Sequence, residues 1–168
     1  MRHACSVAGV KLRESVRALI VYETDSVLLV HFDWEGLDLP DGFWANPGGG
    51  LDPGESRLDA LVRELDEEVG LAVTDLGPEV WTKTAIFPMG DWDGQIDHIH
   101  LLRVPHFTPQ PRLSVEQLRA ENVHEIRWWS LADIQTTSAA FAPRALPALL
   151  MDLLNGPEPA EPLVLQGF

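Results

Sequence analysis

Gly49-Gly50-Leu51-Asp52-Pro53-Gly54-Glu55-Ser56-Arg57-Leu58-Asp59-Ala60-Leu61-Val62-Arg63-Glu64-Leu65-Asp66-Glu67-Glu68-Val69-Gly70-Leu71 is a glycine-rich turn that runs into an amphipathic helix carrying a cluster of glutamates. Pro53-Gly54 signals a turn. Ser56 is placed to cap the helix, with Asp59 three residues on as a weak capping-box partner. Leu58, Leu61, Val62, Leu65 and Val69 recur at helical spacing and fall in one arc, the expected buried stripe. Gly70 stands where a left-handed residue ends a helix. The predicted helix covers residues 56–69.

On the same wheel Glu64, Glu67 and Glu68 stand at i, i+3 and i+4 and form one acidic patch beside the stripe. Ala60, one turn earlier, leaves space there, and Arg63 can pair with Glu67. Like charges at this spacing destabilise a bare helix by a few tenths of a kcal/mol per pair. A hard cation held by carboxylate oxygens reverses that sign, and Mg²⁺ or Mn²⁺ suits such ligands. A wet acidic surface is the ordinary reading of such a charge run. The glycine turn, Glu55 and Arg63 favour chemistry on phosphates instead.

These positions resemble the Nudix box of the Nudix hydrolases: Gly49, then Glu55, then Arg63-Glu64-Leu65, Glu67-Glu68, Gly70 and Leu71. The approach Trp44-Ala45-Asn46-Pro47-Gly48-Gly49 is similar too. The resemblance implies an α/β fold, a Nudix-type α/β/α sandwich with a mixed central β-sheet. It implies that Glu64, Glu67 and Glu68 bind metal or orient the attacking water, and that the Gly48 carbonyl can complete a metal shell. Gly49, Glu55 and Arg63 would support the site, the last two through an ion pair. Metal ions can supply both a deprotonated water nucleophile and neutralised phosphate oxygens, and a nearby carboxylate can act as general base. Which glutamate does so differs within the family.

The chain of 168 residues is 45% hydrophobic and 23% charged, as expected of one globular domain. Residues 1–155 read as that domain and 156–168 as a Pro-rich C-terminal tail. With no apolar run long enough for a membrane span and no secretory run, a cytoplasmic protein is expected. The single cysteine, Cys5, fits a reducing compartment. A net charge of −14 argues against general nucleic-acid binding, though not against phosphates that arrive with a cation.

Ser15–Glu23 and Ser26–Phe32 read as a hairpin, and Gly36–Phe43 as a loop. Val80–Phe87 and Ile96–Val104 read as strands joined by a loop over 88–95. Val115–Glu121 is a predicted short helix and Glu125–Ser130 a strand. A helix then starts at Ser130 or Leu131, and a last one covers Phe141–Leu154, with Pro147 sitting uneasily inside it. The tail is expected to be flexible unless Leu163, Val164 and Leu165 dock.

Several residues outside the box could touch substrate. Arg17 can reach a phosphate or form an edge salt bridge; Lys83 and Arg103 lie in strands expected to border the cleft. Trp34 and Trp92 fall in loops and could stack on a base or another ring. Trp44, Trp81, Trp128 and Trp129 suit packing, and Arg127 suits a structural role. His98 and His100 share a strand face, read as polar and opening on the cleft; two histidines fall short of a zinc site. A further acid could come from Asp91, Asp93, Asp97, Glu121 or Glu125, with Glu121 the preferred one.

The expected activity is divalent-metal-dependent hydrolysis of a pyrophosphate bond in a nucleoside diphosphate linked to another moiety, or in a nucleoside triphosphate. Pro88 falls near, but off, the proline that marks an ADP-ribose type. The only tyrosine, Tyr22, lies upstream of the place where a dinucleoside polyphosphate type would need one. Two rivals are a Nudix-fold sensor that binds a nucleotide without cleaving it, and an isoprenoid-diphosphate isomerase, for which Cys5 is badly placed. A homodimer is compatible with the family.

Overall fold

The computed structural model describes residues 9–168. Cys5 and most of the lead-in lie outside them. Among the described residues nine strands form one mixed sheet, with helices on both faces. In chain order the elements are β1 (Leu12–Tyr22), β2 (Ser26–Phe32), β3 (Phe43–Ala45), β4 (Gly48–Gly50), α1 (Arg57–Val69), β5 (Glu79–Met89), β6 (Trp92–Arg103), α2 (Val115–Ala120), β7 (Val123–Ser130), α3 (Leu131–Thr136), β8 (Phe141–Ala142), α4 (Leu146–Asn155) and β9 (Leu163–Gln166).

The sheet order is β8-β3-β2-β1-β6-β5-β9, with β7 added beside β2 and β4 beside β1. β1 alternates, as a strand buried on both faces must. Leu19 and Val21 face a core closed by α3 and α4 through Ile134, Leu146, Leu150 and Leu153. Val16, Ala18 and Ile20 face a second core closed by Leu61, Leu65 and Val69 of α1. Two apolar layers around one sheet make the α/β/α sandwich that the resemblance implied.

The sheet forks where the site will lie. β1 pairs with β2 only at Ile20–Tyr22, and with β4 at Ser15–Arg17. β2 meanwhile continues beside β3 at Val30–Phe32. The connection Asn46-Pro47 spans the fork, tied by the Ala18 N–H donating to the Pro47 carbonyl (2.9 Å). The segment 43–50, expected to include only a loop end and a glycine run, is therefore two short strands. Three residues carry too little periodicity to announce a strand.

Helix α1 starts and stops where predicted. Ser56 Oγ accepts from the Asp59 N–H (3.0 Å), and Gly70 adopts φ 70°, its N–H closing on the Leu65 carbonyl. Its buried face differs from the predicted stripe. Val62 is 38% exposed, whereas Ala60, Glu64 and Glu68 are buried. The helix is turned toward its glutamates because it packs on β4, a strand of glycines.

Three further boundaries differ. The β5–β6 strands run on to a tight turn, pairing Met89 with Trp92, so most of the expected loop is ladder. Helix α4 begins at Leu146, which puts Pro147 in its first turn, where a missing N–H costs nothing. Leu163–Gln166 dock as β9, parallel to β5, leaving Leu163 and Val164 exposed on an outer strand. No described helix is long and apolar enough to cross a membrane.

Candidate functional site

Carboxylate oxygens of Glu64, Glu68 and Glu121 lie within 4.8 Å of one another, the one such acidic group among the described residues. Glu64 and Glu68 come from one face of α1, and Glu121 from the end of α2. Both α1 carboxylates are buried, 8% and 2% exposed. The Gly48 N–H donates to Glu68 Oε2 (3.0 Å). Burial pushes the Glu68 carboxyl up to about 8; neighbouring Glu64 adds to the rise against the Gly48 donation and the charge on Arg17. Burial likewise raises Glu64, although Arg63 opposes it, and raises Glu121, where Glu67 adds to the effect. Buried like charges in contact are unfavourable unless a proton or a cation joins them. Three hard oxygen donors at this spacing fit a divalent cation such as Mg²⁺ or Mn²⁺.

The glycines make this approach possible. Gly48 has φ 139°, and a Cβ there would overlap the Val16 carbonyl and the Arg17 backbone; one on Gly49 would overlap the Glu64 carboxylate. Only a bare backbone lets α1 lie with its acids against β4.

Arg63 braces the loop. Its Nε and Nη2 donate to the two oxygens of Glu55 (2.9 Å each), Nη1 to Glu64 Oε1 (2.7 Å) and Nη2 to the Gly50 carbonyl (3.2 Å). This bidentate donation holds Glu55 below the usual carboxylate range. Glu67 is drawn elsewhere: Arg112 Nη2 donates to its Oε1 (3.0 Å), and its carboxylate is absent from the three-acid group.

Across the fork lies a second buried cluster. Arg17 Nε donates to Asp97 Oδ1 (3.0 Å), Lys83 Nζ sits 3.0 Å from Asp97 Oδ2, Gln95 Nε2 donates to Oδ1 (2.7 Å), and the Ser15 hydroxyl also bonds Oδ1. Burial alone would raise Asp97, but the charges of Arg17 and Lys83 outweigh it and hold the carboxyl well below its usual range. Arg17 also donates through Nη1 to the Asn46 carbonyl (3.0 Å). Arg17 and Lys83 are thus brought together on Asp97, their common anchor, which for Arg17 is the salt-bridge alternative. Arg103 does not join them: it is exposed and pairs in register with Val21, at the far end of β6 from Asp97.

His98 and His100 are buried, which corrects the reading of a face open to the cleft. His98 Nδ1 donates to Glu79 Oε1 (2.7 Å) and its Nε2 accepts from Arg57 Nη2 (3.0 Å), a polar layer beneath the start of α1. Trp92 lies under Lys11 Nζ (4.7 Å), and the Arg127 guanidinium stacks on Trp129 (3.7 Å) and Trp44 (4.9 Å). Neither side-chain polar atom of buried Asn46 has a partner.

Ser15 and Gln95 complete the hydrogen bonding of Asp97, and the motif alone does not reveal them. Their signal in the sequence is a pair of polar i, i+2 steps, Ser15/Arg17 and Gln95/Asp97, each on one face of a strand.

The profile of the NUDIX domain matches residues 11–149. The chain belongs to the Nudix family. An RNA pyrophosphohydrolase of Campylobacter jejuni subsp. doylei is 37% identical over 73 residues, 39% of this chain and 47% of the relative. A CTP pyrophosphohydrolase of Escherichia coli K12 is 39% identical over 66 residues, 39% of this chain and 44% of the relative. The Nudix chain thus spans about half the length of the curated relatives it matches. Among solved structures, the E. coli ORF135 protein superposes with a TM-score of 0.60 at 28% identity, covering 93% of this chain and 99% of that one. The NUDIX domain of Shewanella oneidensis NrtR, complexed with ADP ribose, gives 0.62 at 20% identity, covering 85% and 88%. The latter likeness concerns the Nudix fold alone.

Proposed function

We propose that this Nudix protein hydrolyses a pyrophosphate bond in a nucleoside diphosphate linked to another moiety, or in a nucleoside triphosphate, with Mg²⁺ or Mn²⁺ held by Glu64, Glu68 and Glu121. The observation that carries the reading is the juxtaposition of a cation-seeking acid cluster with the Arg17–Asp97–Lys83 cluster across Gly48. When bound, the ion would neutralise phosphate oxygens and make water a better nucleophile at neutral pH. The side chains do the rest. Arg17 and Lys83, together one positive charge in excess of Asp97, draw and orient the phosphates. Arg63 fixes Glu64 and the loop through Glu55, and the Gly48 carbonyl can complete the shell. Glu67, the box carboxylate outside the acid group, is held by Arg112 and faces Arg63 Nη1 at 3.7 Å, so accepting a proton from water or adding a ligand would require it to leave Arg112. The curated relatives are named for pyrophosphohydrolysis, and the net charge of −14 favours a small nucleotide over a long nucleic acid. A cytoplasmic location accords with this chemistry.

The test is a screen of nucleoside diphosphate derivatives and triphosphates with Mg²⁺ and Mn²⁺, scored by product identity, on wild type and Glu68→Gln. Turnover is expected to fall at least about 10²–10³-fold, the scale of removing one transition-state-stabilising group. Full activity in Glu68→Gln would remove the acid cluster from the reaction. Metal binding without turnover of any compound would point to a sensor.

A further inference from the structure

We propose that Trp34, Phe43 and Phe168 form an aromatic recess that holds the nucleobase of the substrate, with Phe168 brought there by β9. This rests on the pyrophosphohydrolase reading and assigns the part of the site that selects what carries the phosphates. Phe43 lies stacked on Phe32 at 5.7 Å between ring centroids. Two further rings stand edge-on to it, Phe168 at 4.9 Å and Trp34 at 5.7 Å. Phe43 is buried, but Trp34 and Phe168 keep 40% and 37% of their surface exposed. Rings recruited only to close a core would be covered. Two half-open rings on a common third leave aromatic surface in water, the kind of surface on which a base stacks.

The placement relative to the reacting end supports the same occupant. The Phe168 ring lies 6.0 Å from Lys83 Nζ, and the Phe32 ring 6.0 Å from the Arg17 guanidinium carbon. Lys83 and Arg17 share Asp97, and Arg17 packs directly on Gly48, whose N–H holds Glu68. The order along the fork is therefore acids, then cations, then rings. A nucleotide likewise runs from charged phosphates, which acids with a bound cation and the side-chain cations would meet, through a sugar to a flat base.

Phe168 reaches this position by a specific device. β9 pairs Leu165 with Lys83 and Gln166 with Thr84, and the Gly167 N–H donates to the Thr84 carbonyl (2.8 Å). Gly167 then takes φ 76°, a conformation that favours glycine and turns the chain toward Lys83 and Phe43.

The experiment measures binding of ADP, CDP and inorganic tripolyphosphate, each with Mg²⁺, to wild type, Phe168→Ala and Trp34→Ala. The ratio of nucleotide to tripolyphosphate affinity is expected to fall about tenfold in either variant, the lower range of losing one base–ring stack. Phe168→Tyr is expected to restore it. An unchanged ratio in folded variants overturns the recess, since Phe168 would then act only on Lys83 or on packing. Trp34 lies in a separate loop, so its variant decides the matter should Phe168→Ala fail to fold. Wild type that binds metal but neither nucleotide nor tripolyphosphate would sink the parent reading. Wild type that hydrolyses nucleotides with both variants unaffected would sink the recess alone.

Discussion

Glu68 and Asp97 are both buried carboxylates facing one fork in the sheet, yet they sit at opposite ends of the electrostatic scale. Asp97 is surrounded by donors: two cations, an amide and a hydroxyl. Burial works against its charge and loses to Arg17 and Lys83. Glu68 has one backbone N–H and another carboxylate beside it, and burial wins, lifting it to about 8. The fold has completed the first group and left the second short of positive charge. An acid surrounded by cations of its own chain is part of the scaffold, and a buried acid with no cation bonded to it, beside a second carboxylate, is a place for a metal ion.

Asp97→Asn should break this contrast most severely. It would leave Arg17 and Lys83 buried around a neutral group, at a cost of about 3–5 kcal/mol by chemical denaturation. A cost below about 1 kcal/mol would mean that the cluster is open to water and not a scaffold.

The second test is pH. The unfolded Glu68 ionises near 4.5, whereas the folded one keeps its proton until about 8. Between those values the folded state binds more protons, so metal-free stability falls as pH rises through the window. A bound cation compensates the ionised form, so the gain in Tm on adding Mg²⁺ should be larger at pH 8 than at pH 5. Glu68→Gln should flatten that difference and raise metal-free stability at pH 8 by about 1 kcal/mol or more. A metal effect independent of pH would show that Glu68 is not an uncompensated acid.

The smallest effect sharpens the link between loop and acids. Arg63→Lys keeps a charge but loses the fork on Glu55. Because Arg63 is partly exposed, the expected loss of stability is about 1 kcal/mol. Turnover should fall more than Mg²⁺ affinity, measured by steady-state kinetics and titration. An unaltered turnover would confine Arg63 to holding the loop.

Ser56, Gly70 and the periodic apolar residues announce α1 in the chain itself, because capping and helical spacing are local properties. The acids Glu64 and Glu68 are legible for the same reason, and Glu121 as an outlying candidate. The direction in which α1 turns is not legible. The apolar pattern places Val62 in the buried stripe and the glutamates beside it, whereas packing on glycines buries Glu64 and Glu68 and exposes Val62. A hydrophobicity pattern assumes that carboxylates avoid the interior, and a metal-seeking site breaks that assumption. The tail's prolines suggest a loose segment, and of the two outcomes left open for Leu163, Val164 and Leu165 the structure shows docking, along the edge of β5.

The linear chain settled the box helix, its caps, the acids along it and the family to which they belong, because each depends on residues within a few turns of one another. Tertiary structure alone settled which acids meet, that Asp97 gathers Arg17 and Lys83, and that Phe168 stands beside Phe43. Those contacts join residues about 80 or more apart in several cases, through pairings of β1 with β6 and β5 with β9. Spacing along one chain carries no measure of distance across a sheet, and only the register of the strands supplies it.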